Sequence, residues 1–390
     1  MDAIRTTAHD LDPTTVATRR DLHEHPEIAF EEVRTSRVIA ERLRALGLEP
    51  RTGVGGTGVV CVLEGAEAGK TIIARADIDA LPVPEEKEVA YRSTVEGRMH
   101  ACGHDGHTAI LLSVAEALIR HRDELRGRVV FVFQPAEEVV QGAQAMLEDG
   151  ALDGLSVDHA VGLHLTTMQP TGTIALRSGP AMAAADRFDL VVRGSGGHAA
   201  KPNETVDPVV IAAHVVVALQ SLVSRETDPV DQAVVSLTSI AGGTAYNIIP
   251  ESVAIKGTLR TFDPATRERL KGRIVALATA VAEAHRGGLG AHWIEGSPAV
   301  VNDEAITERI RGVAAEVVGA RNVLEMPLIM GGDDMALWLQ RGPGCYFFVG
   351  ARSTDATSFP HHHPRFDFDE AALPIAVEAL TRSVLELARP

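Results

Sequence analysis

The sequence predicts an α/β fold: a mostly parallel central sheet flanked by helices, interrupted by an inserted ferredoxin-like βαββαβ domain. Three observations predict it. Apolar runs of strand length alternate with helical stretches through residues 59–164. Residues 187–295 then switch to strand, helix, strand, strand, helix, strand, a complete split βαβ unit of roughly 100 residues, which is enough to fold alone. From Asp303 the helix–strand–helix texture of the first part returns. The expected division is therefore 1–182 for the first part of an outer domain, 183–297 for the insert and 298–390 for the outer domain's second part.

Each element has a local reason. Asp12–His23 and Glu31–Leu46 carry helical apolar spacing, and Gly47 stops the second. Val59–Leu63, Thr71–Ala76, Val129–Phe133 and Ala160–His164 are short continuous apolar runs, the signature of strands buried on both faces. Thr108–His121 and Gly142–Glu148 supply the intervening helices. In the insert, Arg187–Arg193, Ala233–Ile240, Ser252–Thr261 and Ala291–Glu295 read as strands, and Pro208–Ser224 and Ala265–His285 as helices.

Composition excludes several function classes. With 37 basic against 53 acidic residues and a formal charge of -16, the chain lacks the cationic surface that phosphate backbones require, so no nucleic-acid partner is expected. The longest apolar segment, Val209–Val223, is interrupted by His214 and Gln220 and falls short of the roughly 20 residues that span a bilayer. No membrane association is expected. The start has no apolar signal core, and three cysteines (Cys61, Cys102, Cys345) provide no disulfide framework, so a reducing, cytoplasmic setting is expected.

Several motifs fail on context. Gly53, Gly55 and Gly58 satisfy G-x-G-x-x-G, but a strand-like run follows where a dinucleotide site needs a helix. Gly65–Thr71 is one residue short of a phosphate loop and is also followed by a strand. Neither G-x-S-x-G nor H-E-x-x-H occurs.

The residues that survive converge on strand ends. Asp77 and Asp79 close one strand, where open α/β sheets place their ligands. Cys102 and His104 have metal-ligand spacing just before a helix. Glu137 and Glu138 follow a hydrophobic strand, and adjacent carboxylates can divide the tasks of holding a metal and moving a proton. His164 ends another apolar run, and His361, His362 and His363 precede Pro364, with spacing alone unable to rank the three. Each has a structural alternative as a cap, a turn residue or a buried polar group. Convergence of separate segments on Cys, His and Glu favours a metal site.

Taken together, Arg75–Pro82, Met99–Asp105, Gln134–Glu138, Gly162–His164, Gly196–Ala200, Asn247–Pro250 and His362–Pro364 resemble the dinuclear metal aminoacylase and carboxypeptidase family over nearly the whole chain. The resemblance is to the branch with hippurate hydrolases, N-acetyl-amino-acid deacetylases and auxin-conjugate hydrolases. It implies Cys102, His104, Glu138, His164 and His362 as metal ligands, Glu137 as general base and acid, and Asp79 as a carboxylate orienting a ligand. It further implies two divalent ions per subunit, zinc favoured with manganese, cobalt or nickel as alternatives, and a homodimer formed through the insert acting as a lid. His198 would stabilise the oxyanion from the partner, and Asn247 and Arg260 would contact substrate. Relatives commonly carry Gly-x-Glu-Asp-Phe where this chain has Gly331-Gly332-Asp333-Asp334-Met335, a departure beside the expected pocket. The reaction so implied is hydrolysis of the amide bond of an N-acyl-L-amino acid. A dipeptidase or carboxypeptidase of the same family is the first rival, and a metal-binding homologue without turnover the second.

Overall fold

The computed structural model describes residues 3–389, so residues 1, 2 and 390 of the expected outer domain lie outside the described residues. The chain forms two compact units: Met1–Ala181 with Val300–Pro327 and Asp333–Pro390, and Met182–Ala299 with Leu328–Gly332. Leu328–Gly332 falls in the stretch expected to complete the outer domain, yet groups with the insert. The reason is backbone pairing: the Ala183 N–H donates to both Ile329 O and Gly331 O at 3.0 Å.

The first unit is built on an eight-stranded sheet in the order Arg51–Val54, Gly58–Glu64, Arg126–Gln134, Glu67–Asp77, His159–Pro170, Gly344–Arg352, Ile174–Leu176, Val323–Glu325. The four central strands from Arg126–Gln134 to Gly344–Arg352 are mutually parallel. Alternation along a strand divides its side chains between two layers. Val161, Leu163 and Leu165 join a core shared with the helices His104–Arg120 and Ala372–Ala388. Gly162 faces the other layer, where an added Cβ would lie 3.2 Å from Met335 Sδ and 3.3 Å from the Tyr346 ring.

Register fixes the level of the strand ends. Arg75 pairs with both Val132 and Gly162, so Asp77, Gln134 and His164, each two residues further on, stand along one crest.

The first helix runs Ala3–Glu24 rather than starting at Asp12. Pro13 reads as a helix start, but Ile4, Thr7, Ala8 and Leu11 bury a helical stripe ahead of it, and that burial outweighs the missing amide of one proline. Arg19 from this helix is 1% exposed and meets Asp105 at 2.9 Å, Asp367 at 2.6 Å and Glu370 at 3.1 Å, with its guanidinium over Tyr91 and Phe368. It thereby ties the first helix, the start of His104–Arg120 and the approach to the last helix.

In the second unit Ala184–Arg193, Ala233–Ala241, Ser252–Thr261 and Gly288–Ile294 form an antiparallel sheet in the order second, third, first, fourth. Pro208–Glu226 and Pro264–Ala284 complete the βαββαβ pattern, each with Pro at its start and an aspartate, Asp207 or Asp263, as N-cap. Pro208–Glu226 is the one helix among the described residues long and apolar enough to cross a membrane. Ile211, Ala212, Val215, Leu219 and Leu222 on one of its faces join the core of this unit.

Replacing Arg19 by Met strips the buried Asp105 and Asp367 of their shared guanidinium, leaving His23 beside the first and Lys87 beside the second. Unfolding free energy from urea melts is expected to fall by about 3–5 kcal/mol, and an unchanged midpoint would show that the guanidinium carries no such weight.

Candidate metal centre and active site

Seven of the sequence-predicted residues, Asp79, Cys102, His104, Glu137, Glu138, His164 and His362, come from five separate segments of the first unit and meet at the sheet crest. The donor atoms of Cys102, His104 and Glu138 all lie within 4.8 Å of one another. Cys102 Sγ is 3.6 Å from His164 Nε2, and His362 Nε2 is 3.3 Å from Glu138 Oε2. Glu137 Oε2 stands 3.9 Å from His104 Nε2.

Backbone anchoring decides which ring nitrogens are free. His104 Nδ1 donates to the Asp79 carbonyl at 2.8 Å, leaving Nε2 buried and without a partner. His164 Nδ1 donates to the Leu165 carbonyl at 2.6 Å, leaving Nε2 facing Cys102. A carbonyl on one nitrogen and a free lone pair on the other is the usual preparation of a metal-binding histidine. His107, although close, is excluded as a ligand. Its Nδ1 is held by Asp77 at 2.6 Å and its Nε2 accepts the Leu165 N–H at 2.9 Å.

The turn that carries the paired glutamates is held by two further acids. Ala136 and Val140 have φ of 52° and 59°, uncommon for residues with a side chain and a sign of local strain around Glu137 and Glu138. Glu32 Oε1 accepts the Ala136 N–H at 2.9 Å, and Asp79 Oδ2 accepts the Glu138 N–H at 3.0 Å. Asp79 thus holds one expected ligand by its carbonyl and another by its carboxylate.

Charge at the crest is unevenly balanced. Burial opposes ionisation of Asp77, but His104, Arg75 and His107 hold its carboxyl well below the usual range. Burial together with Asp333, Glu138 and Asp334 pushes Glu137 well above it. Hydrogen bonds to the Cys102 sulfur and the Glu138 carboxylate push the His362 imidazole up to about 10. Such a pocket draws positive charge, and the buried, partnerless His104 Nε2 and Glu138 Oε1 face it. This donor set of thiol, imidazole and carboxylate fits divalent ions of the zinc type.

In the second unit His198 and Asn247 lie on facing strands, Gly197–His198 and Ile248–Ile249, with the Ala199 N–H donating to Asn247 O at 3.0 Å. The Ala200 N–H donates to His198 Nδ1 at 3.1 Å, so the ring's proton sits on Nε2. Arg260 lies elsewhere in this unit, paired with Ala185 and Val234 in the four-stranded sheet. Burial and the neighbouring Arg187 both weigh against its charge, and it forms no ion pair with an acid among the described residues.

Sequence reasoning missed Glu32, His107 and the pairing of Asp333 and Asp334 with Arg75. Asp333 and Asp334 are buried, 3.3 and 3.0 Å from the Arg75 guanidinium, which also holds Asp77 at 2.7 Å. Asp334 in addition accepts from Gln134 Nε2 and the Ala143 N–H. The signal available was the shortened Asp333 with its neighbour, noticed only as a departure. For Glu32 there was none.

Residues 73–386 match the family model described as Peptidase family M20/M25/M40. The chain belongs to this family. It is 40% identical to N-acetyl-L-cysteine deacetylase of Bacillus subtilis (93% of this chain, 85% of the relative) and 40% identical to IAA-amino acid hydrolase ILR1-like 4 of Arabidopsis thaliana (95% and 86%). It is 36% identical to thermostable carboxypeptidase 2 of Saccharolobus solfataricus (99% and 98%). Among solved structures it resembles a dinuclear metal binding peptidase from the M20 family of Bacillus subtilis, with TM-score 0.84 and 34% identity over 97% of this chain and 99% of that one. This member of the M20 family is therefore a hydrolase of amide bonds from a family that binds a dinuclear metal centre.

Glu32 offers a test of the turn. Burial raises its carboxyl to about 7, against the hydrogen bonds from Thr57 and Ala136. Because the folded value lies above the unfolded one, its stabilising share is complete below about pH 4.5 and is lost as pH rises through 7. Relative to the wild type, Glu32→Gln should gain about 3 kcal/mol between pH 4.5 and 8, read from urea melts at each pH. A constant difference would contradict the burial of an ionisable group there.

Proposed function

We propose that this enzyme hydrolyses the amide bond of N-acyl-L-amino acids. The observation that carries the proposal is the convergence of Cys102, His104 and Glu138 donor atoms within 4.8 Å, with Glu137 beside them. Cys102, His104, Glu138, His164 and His362 would hold two divalent ions, zinc first, with the Cys102 thiolate shared between them. Bound there, the ions would polarise the acyl carbonyl and bring the pKa of water toward about 7.

Glu137 takes the proton of the attacking water. A carboxyl pushed well above its ordinary range by burial and by Asp333 holds a proton readily, so the same group can return it to the departing amine. His198, with its proton on Nε2, is suited to donate a hydrogen bond to the tetrahedral oxygen, as His198 of the partner subunit in a homodimer. The unpaired guanidinium of Arg260 suits a substrate carboxylate, with Asn247 as a further polar contact. Dimerisation through the second unit is supported by its free edge strand Ala233–Ala241 and by exposed Val209, Val210 and Val217 on the helix Pro208–Glu226. The three free cysteines support a cytoplasmic setting.

The deacetylase and the auxin-conjugate hydrolase among the relatives support an acyl amino acid substrate, whereas the carboxypeptidase supports the rival with a peptide substrate. A panel of N-acetyl and N-benzoyl amino acids against unblocked dipeptides, on protein reconstituted with zinc, manganese, cobalt or nickel, separates them. Turnover of the acylated series is expected. Cleavage confined to dipeptides would establish the rival, and no turnover with any metal would favour a binding protein. Glu137→Gln should keep its metal and lose about 10²–10⁴-fold in kcat. A full rate would remove Glu137 from the chemistry.

A further inference from the structure

The tip 53–58 between the strands Arg51–Val54 and Gly58–Glu64 carries the glycine pattern that cannot serve a dinucleotide, and it has no assigned part in the metal centre. Its Thr57 hydroxyl donates to Glu32 Oε2 at 2.5 Å, and Glu32 Oε1 in turn accepts the Ala136 N–H at 2.9 Å. Glu32 is fully buried at the N-cap position of the helix Val33–Ala45, where an acceptor side chain ordinarily serves the free N–H groups of its own helix. It makes no such bond. Glu27 does that work instead, its two oxygens accepting the Arg34 and Thr35 N–H groups at 2.9 and 2.8 Å. Glu32 is thereby released to hold a turn 104 residues away.

That turn needs holding from outside. Ala136 is fully buried with φ of 52°, a region that residues with a side chain keep only where their surroundings impose it. The far side of the turn closes on itself, the Val140 N–H donating to Glu137 O at 2.7 Å and the Gly142 N–H to Ala136 O at 3.2 Å. The near side does not: the Ala136 N–H goes to Glu32, and the Glu138 N–H goes to Asp79. The backbone on either side of Glu137 is therefore fixed by a carboxylate from another segment. The hairpin tip also seats on the helix Gly142–Glu148 that leaves the turn, the Gly55 N–H donating to Asp149 Oδ2 at 2.9 Å. Gly55 has φ of 65°, and a Cβ on it would lie 2.5 Å from Met146 N, so only glycine allows the approach that brings Thr57 to Glu32.

Resting on the metal-dependent reading above, we infer that Glu32 and Thr57 are positioning residues for the metal centre and its base: Thr57 orients the Glu32 carboxylate, which holds the Ala136 N–H and so keeps Glu137 and Glu138 aimed into the site. The test compares wild-type protein with Glu32→Ala, Glu32→Gln, Thr57→Val and Leu43→Ala, the last a core truncation near the far end of the helix Val33–Ala45. Circular dichroism checks that each is folded at the assay temperature. Zinc affinity is read by chelator competition, and kcat and KM are read at saturating zinc on whichever substrate the acyl and dipeptide panel selects. Glu32→Ala should lose about 10–100-fold in zinc affinity and in kcat, with KM unchanged. Glu32→Gln, which can still accept the Ala136 N–H, should stay close to the wild type in both, and Thr57→Val should fall between wild type and Glu32→Ala. Leu43→Ala should lose stability and keep both. Wild-type zinc affinity and kcat in Glu32→Ala, a Glu32→Gln as impaired as Glu32→Ala, or an equal loss in Leu43→Ala would overturn the inference and leave the metal reading standing. A wild type that binds zinc but hydrolyses no member of the panel would overturn the catalytic reading, with the zinc affinities of the same variants still deciding the inference. A wild type that binds no zinc, manganese, cobalt or nickel would overturn both.

Discussion

Arg75 lies fully buried in the strand Glu67–Asp77, with Asp77, Asp334 and Asp333 at 2.7, 3.0 and 3.3 Å and Gln134 Oε1 accepting from its Nε at 2.9 Å. A guanidinium is the one side chain that can serve several acceptors from a fixed planar fork without losing its charge. Its partners come from its own strand, from the end of the neighbouring strand and from a segment more than 250 residues away. Through them it sets the crest: Asp77 fixes the His107 ring, which accepts the Leu165 N–H next to His164, and Asp334 holds the start of the helix Gly142–Glu148 through the Ala143 N–H. Removing that charge would leave three buried carboxylates to repel one another beside the reacting groups.

With Arg75 committed beneath the crest, the acids above it pair with imidazoles alone among the described residues, Glu138 Oε2 standing 3.3 Å from His362 Nε2. Glu137 and Glu138 stand next to His104, and the imidazoles give their N–H groups to main-chain carbonyls. What faces the pocket is therefore a set of lone pairs and a thiol. This arrangement explains why a residue as costly to bury as Glu137 is placed there. A raised carboxyl pKa, which would be a defect in a structural ion pair, is what an acid–base catalyst needs.

Much of this was legible in the sequence, and the limits have physical causes. Strand ends carrying Asp77, Asp79, Glu137, Glu138 and His164 could be read because parallel strands are buried on both faces and betray themselves as apolar runs. The βαββαβ unit was legible because its hydrophobic period switches cleanly between 2 and 3.6. The helix start at Ala3 was hidden by Pro13, a local signal that burial overrides. Glu32, Asp333 and Asp334 were hidden because their partners are distant in sequence, and nothing local distinguishes a buried carboxylate from a solvated one. The adjacent histidines could not be ranked by spacing; only contacts across the fold, His362 with Glu138 and His361 with His164, distinguish them.

The account turns on Cys102 as the atom common to both ligand groups, and cobalt reports sulfur ligation directly. Stripped protein is titrated with cobalt(II) while the near-ultraviolet sulfur-to-cobalt charge-transfer band is followed beside the bound metal. A shared thiolate predicts that the band grows through both equivalents and vanishes in Cys102→Ser. A band complete at the first equivalent, or absent while two ions bind, would contradict it.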